Sequence, residues 1–141
     1  MKTYLGACHC GDLSIEYRTA LAVSDWPLRE CQCSFCRKHA MLSTSDPEGE
    51  VVVRPRAPGS LARYRFATSV TDFLLCARCG VYIGATVAGD GWMVVNGRVM
   101  DCAPALLERS AEPRVYDAET AAERVGHRQR MWARCRIAPK G

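Results

Sequence analysis

Seven of the nine cysteines in this 141-residue chain fall into three tight clusters. They are Cys8-His9-Cys10, Cys31-Gln32-Cys33-Ser34-Phe35-Cys36 and Cys76-Ala77-Arg78-Cys79, with Cys102 and Cys135 apart. Any fold this chain adopts must give those sulfurs something to do. Disulfides are a poor answer: a Cys-x-Cys ring is strained, and an odd count leaves one thiol over. No apolar run approaches the roughly 18 residues of a membrane span. The N-terminus, from Met1 to Cys10, holds no apolar stretch of signal-peptide length. A cytoplasmic protein is expected, and in that reducing compartment clustered cysteines point to metal or catalysis.

The spacing says which. Zinc holds thiolate sulfurs at about 2.3 Å in a tetrahedron, so bound sulfurs lie about 3.8 Å apart. Cysteines at i and i+3 reach that separation around a tight turn, and a following glycine completes the turn at positive φ. Cys76-x-x-Cys79-Gly80 has this form. Cysteines at i and i+2 of an extended segment point to one side, so Cys8 and Cys10 can chelate together. Two pairs make four ligands and close a structural site. Cys31, Cys33 and Cys36 offer three, which leaves the fourth position open, as at a catalytic metal. Arg37 and Lys38 follow directly, and their charge favours the thiolate forms; plain surface charge is the alternative. A single zinc beside three idle thiols, or an iron–sulfur cluster on the same ligands, remains open at this point. His9 sits between two ligands and is expected to face away. His39 and His127 read as hydrogen-bonded structural residues, and Cys102 and Cys135 as buried or idle thiols.

The rest of the chain is ordinary globular material, 48% hydrophobic and 24% charged, which excludes disordered and fibrous classes. Leu13, Ile15 and Tyr17 alternate with polar residues as in a half-buried strand. Val51-Val52-Val53 follows the turn signal Ser45-Asp46-Pro47-Glu48-Gly49, and a second turn lies at Arg56 to Ser60. Further strands are expected at Leu61 to Phe66, Val70 to Leu75, Val81 to Val87 and Trp92 to Val95. Helical signal is weak before residue 103. One short helix is expected over Pro104 to Arg109 and another from Asp117 as N-cap to Val125, stopped by Gly126. The expected class is mostly β with short C-terminal helical segments.

Charge is uneven along the chain. The net +4 collects at the end, where Arg124, Arg128, Arg130, Arg134, Arg136 and Lys140 face Glu123 alone. A basic tail suits an anionic partner, but a solvated terminal segment is the simpler reading. Trp132 is its only aromatic, which is too few for stacking on single-stranded nucleic acid.

The order Gly6-x-Cys8-x-Cys10-Gly11, Cys31-x-Cys33-x-x-Cys36-Arg37-Lys38 and Cys76-x-x-Cys79-Gly80 resembles the glutathione-dependent formaldehyde-activating family, which includes the centromere protein V group. The similarity spans roughly residues 4 to 100, and Asp72 to Cys76 and Val94-Val95-Asn96 also look like family segments. Many members carry glycine where Ala40 stands. The resemblance implies small coiled antiparallel sheets around zinc, the β-tent. The expected organisation is a zinc-binding domain over residues 1–112, with 113–141, which matches no family feature, a basic extension packed on it or trailing from it. The resemblance implies two zinc ions: a structural one on Cys8, Cys10, Cys76 and Cys79, and a catalytic one on Cys31, Cys33 and Cys36. The implied activity is that of a carbon–sulfur lyase. It condenses glutathione or a similar small thiol with formaldehyde or a related small aldehyde. Glutathione carries two carboxylates, and by charge Arg37 or Lys38 is expected to pair with one, surface charge being the alternative. Neither nucleic acid nor membrane is an expected partner. The competing expectation is a non-catalytic, zinc-stabilised binding module that uses the basic tail to engage nucleic acid or protein.

Overall fold

Period-two patterning builds the chain into strands. The computed structural model describes residues 1–66, 70–87, 89–114 and 120–138. In chain order the strands among them are β1 (Lys2–Ala7), β2 (Leu13–Thr19), β3 (Arg29–Cys31), β4 (Ser43–Thr44), β5 (Glu50–Pro55), β6 (Leu61–Tyr64), β7 (Thr71–Cys76), β8 (Tyr82–Val87), β9 (Trp92–Asn96), β10 (Glu112–Arg114) and β11 (Ala133–Ile137). The helices among the described residues are α1 (Ser34–Lys38), α2 (Ala103–Leu107) and α3 (Ala121–Met131). The protein is mostly β, as its patterning predicts.

The strands join into one mixed sheet rather than several small ones. Its path runs β1-β2-β5-β11-β9-β4-β3-β10, and β8, β7 and β6 continue from β9. Most pairings are antiparallel, but β11 lies parallel to β5 and β10 parallel to β3. A strand has two edges, and β9 has three partners. β11 takes its Trp92–Met93 end and β4 its Val95–Asn96 end, while β8 pairs along Trp92 to Val95. The sheet therefore divides at β9.

Alternation along the central strands serves two cores. Leu74, Ile83, Met93 and Val95 point into the main core, with Trp26 and Ile15. Their neighbours Phe73, Tyr82 and Val94 point to the other face, joined by Ala85 and Val87 beyond the irregularity in the β7–β8 pairing, and meet Cys36 of α1 and Trp132 beyond α3. One strand set thus supports the main core on one side and a smaller cluster on the other.

Several local expectations change. α1 was not visible in the sequence: it is five residues long and opens on a cysteine N-cap, whose sulfur accepts from the Cys36 amide. The last helix starts at Thr120, whose hydroxyl and Glu123 form a reciprocal cap, and it runs through Gly126 to Met131. Gly126 does not stop it because Arg128 and Trp132 anchor the next turn: the Trp132 amide bonds to the Arg128 carbonyl, and the guanidinium lies 4.7 Å from the indole centre. Asp117 and Lys140 lie outside the described residues. The basic segment is not a solvated terminus over its described part. Ala133 is fully buried, β11 sits inside the sheet, and Arg134 stacks on Trp92 at 4.8 Å.

Ala40, just after α1, has φ +50°, a conformation that an alanine Cβ disfavours. Ala40→Gly removes that strain at the cost of a more flexible unfolded chain. The expected result is a gain of up to about 1 kcal/mol, read as a higher denaturation midpoint with unchanged slope.

Candidate metal centres

Two hairpin turns make the first centre. Cys8 and Cys10 lie in the turn from β1 to β2, and Cys76 and Cys79 at the turn from β7 to β8. Gly11 and Gly80 complete these turns at φ +86° and +77°, and each donates its amide to the carbonyl of the first cysteine of its pair. The four sulfurs lie within 4.8 Å of one another. Cys8–Cys10 is 3.7 Å and Cys10–Cys76 is 3.5 Å. These distances are far longer than the roughly 2.05 Å of a disulfide and close to the edge of a thiolate tetrahedron. All nine cysteines are free thiols.

Backbone amides already point at the sulfurs. Leu13 donates to Cys8 at 3.2 Å, and Arg78 and Cys79 donate to Cys76 at 3.4 Å each. The charge balance among the four thiols is uneven. For Cys79 burial opposes ionisation, but the amides of Cys10 and Val81 and the thiols of Cys76 and Cys8 outweigh it and lower its pKa to about 6. For Cys10 the Asp12 amide favours the thiolate, yet burial and the neighbouring sulfurs push it up to about 12. Crowded thiolates repel one another, and a bound cation relieves that repulsion. The quartet can hold a metal ion with every position filled by protein.

The second centre is built by β3 and α1. Cys31 ends the strand, Cys33 caps the helix and Cys36 lies one turn on, buried. Their sulfurs also lie within 4.8 Å of one another. The Cys31 and Cys36 thiols hold Cys33 well below the ordinary thiol range; the Cys33 contact raises Cys31, and Cys31, Cys33 and burial raise Cys36. One thiolate between two protonated neighbours is the arrangement a divalent cation would relieve. The Tyr82 hydroxyl stands 3.8 Å from Cys36 Sγ and Met41 Sδ 3.7 Å from it. Burial, with the Cys36 sulfur beside it, keeps that phenol protonated. The trio can hold a second metal ion, with one coordination position left over.

The two centres differ in what surrounds them. Cys31, Cys33 and Cys36 all line a cavity of about 310 Å³ on the second face of the sheet. A smaller cavity of about 220 Å³ is lined by Cys31 and Cys36 but not Cys33. The quartet lines neither. Only the larger cavity is shared by all three cysteines of the trio. Arg37 lines the smaller cavity, together with Arg98, and both it and Lys38 are exposed. Lys38 lines neither cavity. His9 is exposed, and His39 stacks on Phe35 at 4.4 Å, so neither is among the grouped ligands. Cys135 lies 3.8 Å from Met93 Sδ, with burial raising its pKa to about 12.

Sequence reading missed the walls of the larger cavity. Phe66, Phe73 and Val94 form apolar wall, and Arg29, Arg124, His127 and Arg128 also line it. Arg124, His127 and Arg128 share one face of α3 at i, i+3 and i+4 spacing, a signal in the sequence that could have found them.

No family model matches the sequence, and no curated protein matches it. A solved structure does: the crystal structure of a Rhodobacter sphaeroides protein, a Northeast Structural Genomics target, is 23% identical and has a TM-score of 0.62. That likeness covers 78% of this chain and 99% of the other, and it shows that the two share a fold.

Proposed function

We propose that this protein is a zinc-dependent carbon–sulfur lyase of the glutathione-dependent formaldehyde-activating kind, joining a small thiol to formaldehyde or a related aldehyde. The observation that carries the reading is the contrast between the centres. One is a complete quartet away from both cavities, and the other is an incomplete trio facing the larger one. A purely structural role has no use for the second arrangement.

The donor sets fit zinc: soft thiolates at tetrahedral spacing suit it better than oxygen-seeking cations. Cys31, Cys33 and Cys36 would hold the catalytic ion. When bound, zinc supplies acidity, lowering the pKa of a thiol or polarising a carbonyl oxygen. The protein's own residues do the rest. Tyr82 and Met41 pack against Cys36 and fix its rotamer. Phe66 and Phe73, stacked at 4.9 Å, keep bulk water from one wall of the cavity. In the reaction the thiol sulfur bonds to the aldehyde carbon, the carbon–oxygen π bond opens, and the proton lost from sulfur ends on oxygen. No oxidant or reductant is required. For formaldehyde the product is a hydroxymethyl thioether.

The test is direct. Zinc-loaded protein is mixed with formaldehyde and glutathione, and the adduct is followed by NMR against buffer. Faster adduct formation is expected. No acceleration, together with salt-sensitive DNA binding, would replace the enzyme with a zinc-stabilised binding module.

A further inference from the structure

The second face of the sheet carries a core that does not close. Phe73, Ala85 and Val94 from three neighbouring strands, Met41 after α1 and Trp132 after α3 are buried in one cluster, with Phe66 half-buried against it. All six also line the larger cavity. Protein interiors pack closely, and a void among apolar side chains costs stability in proportion to its volume. At about 310 Å³ this one is roughly twice the cavity of about 150 Å³ that a benzene ring fills, and it reaches the range of small-molecule sites. Formaldehyde, one carbon and one oxygen, would leave most of it empty. Flat rings shape the wall: Phe66 and Phe73 stack at 4.9 Å with planes 25° apart, and Tyr82 lies 5.9 Å from Phe73. The polar wall is already in use. Arg29, Arg124, His127 and Arg128 are all engaged by protein groups, Arg29 with Ser45 and Arg128 with Thr71 among them. The smaller cavity is more polar: Glu30, Gln32, Arg37 and Arg98 line it, and it shares Cys31, Cys36 and Met41 with the larger one.

We propose that the larger cavity is an aryl pocket, in which Phe66, Phe73, Val94 and Trp132 hold the aromatic ring of a neutral small molecule beside Cys31, Cys33 and Cys36. Ala85, the smallest side chain among the described lining residues, leaves the room that the ring takes. The further claim that this molecule is an aromatic aldehyde, the electrophile of the reaction, rests on the lyase reading. The more polar cavity then suits a hydrophilic thiol. In that addition sulfur bonds to the aldehyde carbon, the carbon–oxygen π bond opens and the proton leaves sulfur for oxygen, with no change of oxidation state overall.

The test uses zinc-loaded full-length protein and benzyl alcohol, a neutral aryl probe with no carbonyl, titrated by calorimetry beside cyclohexylmethanol, glycerol and benzoate. Benzyl alcohol should bind saturably, cyclohexylmethanol and benzoate at least about threefold more weakly, and glycerol not at all. Ala85→Leu fills the cavity and should weaken benzyl alcohol at least about tenfold. Phe66→Ala, at a half-buried position, should weaken it about threefold to tenfold. Leu107→Ala, at an exposed side chain outside both cavities, should change nothing. Thermal melts check folding, and Phe66→Ala decides if Ala85→Leu does not fold. Benzyl alcohol binding no tighter than glycerol, or binding unchanged in Phe66→Ala, overturns the proposal. Equal binding of cyclohexylmethanol overturns the ring in favour of any apolar group, and tighter binding of benzoate assigns the cavity to an anion instead. Glutathione then separates the pocket from the lyase, with aldehyde–adduct exchange read by NMR. Acceleration over buffer should be at least about tenfold greater for benzaldehyde than for acetaldehyde, and Ala85→Leu should erase that preference. Benzyl alcohol binding with no acceleration for any aldehyde leaves the aryl pocket standing and removes the lyase. Acceleration for formaldehyde with none for benzaldehyde keeps the lyase and removes the aromatic aldehyde.

Discussion

Cys76→Ser will lower the stability of the metal-loaded protein by on the order of 4 kcal/mol. The reasoning is topological. The quartet ties the β1–β2 turn to the β7–β8 turn, and Cys10 and Cys76 are 66 residues apart in sequence. A cross-link that closes a loop of that length removes about 4 kcal/mol of chain entropy from the unfolded state, if a four-thiolate metal is treated like a covalent staple. Serine shortens the reach and is a far weaker ligand than thiolate, so the staple opens. Two amides that now point at the Cys76 sulfur would also meet a displaced oxygen in a buried site. For a chain of this size the melting temperature should fall by roughly 10 °C. Chelation of the wild type should reproduce most of that fall and add little to the variant. Cys135→Ser, at a partly buried cysteine outside both groups, controls for thiol loss alone and should shift the melt far less. A Cys76→Ser protein that melts with the wild type would show that the quartet is not a structural metal site.

The quartet and the trio were legible for a shared reason. Metal ligation imposes spacing rules on neighbouring residues, and Cys8-x-Cys10, Cys76-x-x-Cys79 and the Cys31-to-Cys36 cluster each satisfy one within a few positions. The cavity beside the trio obeys no such local rule. Arg29, Tyr82, Arg128 and Trp132 come from β3, β8, α3 and the residue after α3, and only the sheet's division at β9 brings them to one place. Strand β11 was partly legible: Ala133, Cys135 and Ile137 alternate with Arg134 and Arg136, a half-buried pattern hidden by counting the arginines as a tail. Strand β10 and helix α1 were not. Three residues that include Pro113, or five that begin beside a cysteine cap, carry too little periodicity to read. The helix runs past Gly126 because glycine's cost of about 1 kcal/mol in a helix is smaller than what the next turn gains from Arg128 and Trp132.

Cys33→Ser is expected to separate the two centres. Cys33 has two jobs: its sulfur is one of the trio, and it caps α1 by accepting the Cys36 amide at 3.4 Å. Serine keeps the second job, being among the best N-cap residues, and loses the first, because a neutral hydroxyl cannot replace a thiolate on zinc. The fold should therefore survive, with the melting temperature within a few degrees of wild type once both are compared at one metal per chain. Metal content after dialysis should fall from two ions per chain to one. Affinity for the second ion should drop by at least about a hundredfold, more than the loss usual when only a supporting contact to a ligand is removed. Acceleration of adduct formation should vanish with it, since the position facing the larger cavity exists only while all three sulfurs converge. Unfolding with loss of both ions would mean that the centres are one cooperative unit. Retention of two ions and full activity would mean that the trio is not the reacting site, and the lyase would have to be sought elsewhere in the fold.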